Sequence, residues 1–196
     1  MSNSSRVVVL YEDQRNSTGA KPFGLHELLV ALVADKLEQE FFPLRKRIQG
    51  IPRKGNVQVM NDLSDADNIG RGSWVLAFPD EDRIREHAEV GLPESATHLE
   101  VVTRILAVTG TSTRRSVTLL VRNMESVIHA AAKCDAALSP ATVGRALKKK
   151  PNERDIVLNH VAHAERSVRE CIADGVPSLL ELRDRVICAL DNPRGW

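Results

Sequence analysis

Two apolar runs, "VVVLY" at 7–11 and "WVLAF" at 74–78, are continuous rather than alternating, and both run into carboxylates. Glu12 and Asp13 follow the first; Asp80, Glu81 and Asp82 follow the second, one proline later. A strand with one wet face alternates apolar and polar residues. An unbroken apolar run asks for burial on both faces, and parallel sheets covered by helices provide it. The constraint therefore predicts an α/β fold, with a mostly parallel sheet flanked by helices.

The remaining pattern fills in around those runs. Leu25, Leu28, Leu29, Leu32, Val33 and Leu37 recur at helical spacing and predict an amphipathic helix over 24–41. "GNVQVMND" predicts a second strand over 55–62, ending at Asp62. A short helix is predicted over 82–89, a longer one begins near Pro93 and stops at Gly110, and a fourth strand spans 114–123. Beyond that point only helices are predicted, over 124–137, 139–149, 152–173 and 177–190, punctuated by Pro140, Pro151, Gly175 and Pro177. The expected organisation is an α/β core over 1–123 with a helical C-terminal extension over 124–196 packed on it.

Composition narrows the functional classes. Apolar residues at 42% and charged residues at 27% are those of a globular chain, not a disordered one. Aromatics at 4% argue against a stacking platform for single strands, and a net charge of +1 gives no global pull toward nucleic acid or membrane. Nucleic-acid contact would need local patches or a partner subunit. Cys134, Cys171 and Cys188 stand far apart in apolar helical contexts and are expected to be buried, reduced thiols of a cytoplasmic protein. No signal peptide opens the sequence and no apolar run approaches ~20 residues, so neither export nor membrane spanning is expected.

In open parallel sheets the working site lies beyond the carboxyl ends of the strands. Glu12, Asp13, Asp62, Asp80 and Asp82 are all expected at that edge, where converging like charges call for a cation. Mg²⁺ takes oxygen ligands and is held by one or two carboxylates with a substrate phosphate. A plainer reading stands beside this one: strands end at the surface, and each acid would then be a solvated loop residue or a helix cap, Asp80 above all.

"VVVLYED" followed by "VLAFPDED", with helices between, resembles the Toprim fold of topoisomerases, primases and nucleases of the overcoming-lysogenization-defect (OLD) family. The rest of the chain resembles a small Toprim-like family of unknown function found in prokaryotic mobile and defence loci. "TLLVRNMESVIHAA" is similar to its strand passing into a helix with an embedded glutamate, here Glu125, and "VPSLLELRDRV" to its closing helix. The resemblance implies a Rossmann-like sheet and phosphoryl transfer at a phosphodiester with Mg²⁺ or Mn²⁺. Asp80 and Asp82 would hold the metal, Glu12 would ligate it or act as general base, and Glu125 would be a further ligand. It also implies a nuclease, or a nuclease subunit, of an anti-phage defence system acting on nucleic acid, with DNA favoured. No "GxxxxGK[ST]" loop occurs in the chain, so ATP hydrolysis by that route would fall to a partner ATPase. Homo-oligomerisation stays open. The loop after Glu12 is longer than a compact glycine-rich turn and Pro79 precedes Asp80, departures that point to the alternative, a catalytically inactive adaptor or regulatory module.

Other features are weaker. A phospho-receiver domain also opens with a strand and an acid pair, but Asp80 comes late for it and no lysine follows a fifth strand. His160 and His163, three residues apart, lack the further ligands a zinc site needs. Among the cations, Arg53 and Lys54 before the second strand, Arg114 and Arg115 before the fourth, and Arg83 beside the acids are the expected phosphate contacts. The Arg45, Lys46, Arg47 cluster and the lysines at 148–150 read as solvated or helix-terminal charge.

Overall fold

The computed structural model describes residues 6–12, 24–70, 73–85, 87–110, 114–121, 123–148 and 151–192. Four strands form one sheet: β1 (Val7–Glu12), β2 (Ile48–Arg53), β3 (Trp74–Phe78) and β4 (Arg115–Val117). They lie in the order β2-β1-β3-β4 and every pairing is parallel. The fold is thus α/β with an all-parallel sheet flanked by helices. Both predicted all-apolar strands sit in the middle of it, paired with each other, Val7 opposite Trp74 and Tyr11 opposite Phe78.

Each face of the sheet buries one alternate set of side chains. Val7, Val9, Tyr11, Trp74, Leu76 and Phe78 face a layer built from α1 (Leu25–Leu37) and the helices α7 (Met124–Cys134), α8 (Pro140–Leu147), α9 (Pro151–Ala162), α10 (Arg166–Gly175) and α11 (Pro177–Asp191). Val8, Leu10, Val75, Ala77 and Val117 face α3 (Asn56–Ser64), α4 (Ala66–Gly70), α5 (Glu81–Ile84) and α6 (His98–Thr109). α1 lies inside its layer, between the sheet and the C-terminal helices. Residues 25–34 are buried on every side, so the expected amphipathic helix is instead a core helix. It ends at Glu38, which takes a left-handed conformation, and the shorter α2 (Phe41–Arg47) follows.

The second strand is a correction. It is Ile48–Arg53, and "GNVQVMND" forms the start of α3. Asn56, Val59, Met60 and Leu63 share one buried helical face, a spacing that the local alternation of Val57 and Val59 obscured. β2 escaped notice because Gly50 and Pro52 look like strand breakers, yet an edge strand tolerates proline. The predicted helix over 152–173 is two helices: Arg169 donates to the carbonyls of Ala162 (3.3 Å) and Ala164, closing the end of α9 where neither glycine nor proline stands. α6 opens with a capping box, Thr97 accepting from the Glu100 amide and the Glu100 carboxylate accepting in return.

Cys134 and Cys171 are not reduced thiols. They form a disulfide between α7 and α10, with Cα atoms 5.8 Å apart, while Cys188 is free. Among the described residues no helix is long and apolar enough to cross a membrane. Gly50 lies against His26, whose Nε2 is 2.8 Å from the Ile48 carbonyl oxygen, and an added Cβ would come within 2.7 Å of the imidazole. Gly50→Ala should therefore destabilise the fold by ~1–3 kcal/mol in urea unfolding. Thiol titration of the denatured, unreduced chain should count one thiol, and three after reduction.

Candidate functional site

β1 leads through α1 and α2 on one face to β2 on its left, and β2 leads through α3 and α4 on the other face to β3 on its right. The crossover direction thus reverses between β1 and β3. At such a switch point the connecting loops part and leave a crevice beyond the strand ends. Glu12 is the last residue of β1, and Asp80 follows β3 by two residues, held by a parallel bridge to Leu120. Both carboxylates therefore belong to this crevice.

Asp80 has the position of a helix cap without the bond. Its side chain accepts nothing from α5, and its backbone carbonyl is taken by the Ile84 amide (3.2 Å) and by Asn56 Nδ2 (3.1 Å). The residue is 8% exposed, and Oδ1 has no partner among the described residues. Burial first, and then the charges of Glu12, Asp82 and Glu125, push its pKa up to about 8. Glu12, also 8% exposed, receives Arg83 Nη1 on Oε1 at 3.3 Å, while its Oε2 is buried and without a partner among the described residues. Burial raises its pKa too; Arg83 and Arg154 oppose the rise, and Asp82 and Glu125 add to it.

Asp82 and Glu125 complete the group more loosely. Asp82 is exposed and accepts from Asn123 Nδ2 at 3.3 Å. Glu125, in the first turn of α7, is paired with Arg154 of α9, whose Nε also reaches the Ala146 carbonyl at 3.2 Å. Asn123 caps α7 through the Glu125 amide (3.0 Å) and holds φ at 119°, a conformation costly for a residue with a side chain. Glu81 turns away to Arg85 at 2.6 Å.

The other sequence-predicted positions divide. Arg53 ends β2 opposite Glu12 at the same sheet edge, but is paired with Asp62; that acid comes from α3 and not from a strand end. Lys54 follows it and is exposed. Arg114 and Arg115 stand at the start of β4, the edge opposite the acids, where Arg115 donates to the Thr109 and Ser64 carbonyls. These two do not join the crevice. Asp13 lies outside the described residues. His160 pairs with Asp135 at 3.0 Å, whereas His163 packs its ring on Phe41.

Whether a metal fits depends on the donors. Among the described residues, no three His, Cys, Asp or Glu side chains gather closely enough to hold one ion. The orphaned atoms at the corner are nevertheless all oxygen acceptors: Glu12 Oε2, Asp80 Oδ1 and Asn56 Oδ1. Oxygen donors, with one or two carboxylates and the balance from water, suit a hard divalent cation such as Mg²⁺ or Mn²⁺. The fit is to that smaller set, not to all four acids. Asn56, Asn123 and Arg154 were missed in the sequence because nothing local marks a residue that meets its acid only in the fold.

Fold and corner define an α/β protein with paired carboxylates at the switch point of a parallel sheet. No family model matches the chain, nor does any curated protein or solved structure.

Asp80 binds its proton more tightly in the folded than in the unfolded chain. Its contribution to stability is complete below pH ~4, the unfolded value, and is lost as pH rises toward 8. Metal-free Asp80→Asn should therefore melt above the wild type by roughly 5 °C at pH 8, and the difference should vanish toward pH 4, read by calorimetry.

Proposed function

We propose that this protein is a Toprim-like, divalent-metal-dependent phosphodiesterase: a nuclease, or the nuclease subunit, of a prokaryotic anti-phage defence system, working with a partner ATPase. The observation that carries this reading is Asp80 Oδ1, buried and without a partner among the described residues, as is Oε2 of Glu12. A fold retains two destabilised carboxylates at one crevice when something other than folding needs them.

Mg²⁺ or Mn²⁺, when bound, would neutralise phosphate charge and acidify a water. Asp80 and Glu12 would hold it, and Asn56 would keep Asp80 in place through its backbone carbonyl. Asp82, exposed and bonded to Asn123, would add a further carboxylate near such an ion. Glu12 is also the base nearest to hand, since burial makes its carboxylate more basic. Arg83, half exposed at 53%, leaves Glu12 at small cost and offers its planar fork to a phosphate. Arg53 and Lys54 flank the same edge for further phosphate contact, and DNA is the favoured nucleic acid. A net charge of +1 and the lack of a GxxxxGK[ST] loop in the sequence support delivery of substrate by a partner.

A second reading, a catalytically inactive adaptor, is favoured by the ion pairs Arg83–Glu12 and Arg154–Glu125, which already balance two of the four acids. Titration calorimetry with Mn²⁺, and plasmid nicking with Mg²⁺ or Mn²⁺ in the presence and absence of the partner, separate the two. The catalytic reading expects about one ion per chain. Asp80→Ala and Glu12→Ala should each cut nicking by about 100-fold or more. Nicking that survives both substitutions sinks the nuclease assignment, and a folded chain that neither binds Mn²⁺ nor cuts with its partner is the adaptor.

A further inference from the structure

The Cys134–Cys171 disulfide lies at the surface, not inside the core. Cys171 is exposed and Cys134 half-buried, and both line a groove of about 860 Å³ between α7 and α10. Exposed disulfides are the labile kind, because a thiolate can reach their sulfur atoms. Lys133 precedes Cys134 on α7, and Asp174 follows Cys171 by three residues on α10, so each helix brings one charge to the bond. Both side chains are exposed, and neither is paired with an opposite charge among the described residues. Glu125, the other acid of the groove, is held by Arg154. Small apolar residues, Ala130 and Gly175, line the groove beside the bond.

We propose that this disulfide is a thiolation site for a small amphoteric thiol, one bearing both a carboxylate and an ammonium group, seated in the groove. The inference is independent of the nuclease reading. Thiolates are the nucleophiles that open disulfides, which fixes the reactive group of the ligand. One unpaired cation and one unpaired acid fix its charges: a polyanion or a polycation meets repulsion from one helix, whereas an amphoteric molecule pairs with both. The volume is in the range that holds a molecule of tripeptide size. In the reaction the ligand thiolate attacks Cys171 Sγ, the accessible sulfur. A new S–S bond forms there, the Cys134–Cys171 bond breaks, and Cys134 leaves as a thiolate that takes a proton from water. One disulfide is exchanged for another, so no oxidant is consumed. α7 and α10 keep their places in the core through Val127, Ala131, Ile172 and Ala173, so the helices stay seated when the bond opens.

Glutathione is the probe, and 2-mercaptoethanol, a neutral thiol, is its control. Each is added in excess to the oxidised full chain, the reaction is quenched with iodoacetamide, which caps the released Cys134, and the products are read by intact mass and peptide mapping. At equal thiolate concentration glutathione should open the bond about ten-fold faster, with the added thiol on Cys171. Lys133→Gln and Asp174→Asn should each lower the ratio of the glutathione rate to the mercaptoethanol rate about three-fold, the size of one exposed ion pair. Taking the ratio within each variant removes any change in the disulfide itself. Asp174→Asn discriminates most sharply: general attraction of an anionic thiol raises the ratio when an acid is removed, whereas seating of the ammonium group lowers it. The proposal is overturned by a wild-type ratio near one, by either variant keeping the wild-type ratio, by a ratio that rises in Asp174→Asn, by thiol added at Cys134 instead of Cys171, or by a disulfide that neither reagent opens. None of these outcomes depends on Mn²⁺ uptake or nicking.

Discussion

β1 is hydrogen-bonded in parallel on both sides, to β2 and to β3, and both of its faces are covered. Burying the side chains of β1 and β3 contributes on the order of 1.5–3 kcal/mol for each large one, and a parallel sheet covered by helices removes both of their faces from water. Parallel pairing in this register puts the carboxyl ends of the two strands together. Glu12 and Asp80 are therefore neighbours as a consequence of the core, and the cost of crowding them is a small fraction of what the sheet gains. The helices confirm the arrangement: because the crossovers occupy opposite faces, the crevice falls between these same two strands.

Charge at the corner is only partly balanced. Arg83 arrives from α5, immediately after the acids, and Arg154 comes from α9, more than sixty residues later in the chain. Among the described residues two guanidinium groups pair with two of the four carboxylates, and the buried Asp80 receives neither. Buried acids that stay unpaired weaken a fold, so their presence at a crevice carries more information than the ion pairs around them. Local contacts explain why the four acids do not collapse into one compact set: Glu125 is held toward Arg154 by an ion pair, and Asp82 toward Asn123 by a hydrogen bond.

The C-terminal helices do more than cover the sheet. They enclose α1, supply Arg154, and build with α7 the groove beside the disulfide. The disulfide joins the two helices that wall this groove, closing a loop of 37 residues, a constraint that acts mainly on the unfolded chain. Residues that shape the crevice thus come from both ends of the sequence, which makes the helical half part of the candidate site.

The amino-acid sequence by itself determined what short-range pattern can carry: two strands apolar on both faces, a parallel α/β sheet, the stop of α6 at Gly110, and acids at the ends of the two central strands. These depend on spacings of two to four residues, and such spacings can be read without knowing what a residue touches. It misread β2 because an edge position, not local propensity, licenses Gly50 and Pro52, and it ran α9 into α10 because the break is made by Arg169 and not by a breaker residue. Only the tertiary structure decided that Cys134 meets Cys171, that Arg154 meets Glu125, that Asn56 holds the Asp80 backbone, and that Arg114 and Arg115 lie at the far edge from the acids. Each of these is a meeting between residues distant in the chain, governed by strand order and helix packing, and neither quantity is encoded in any local stretch.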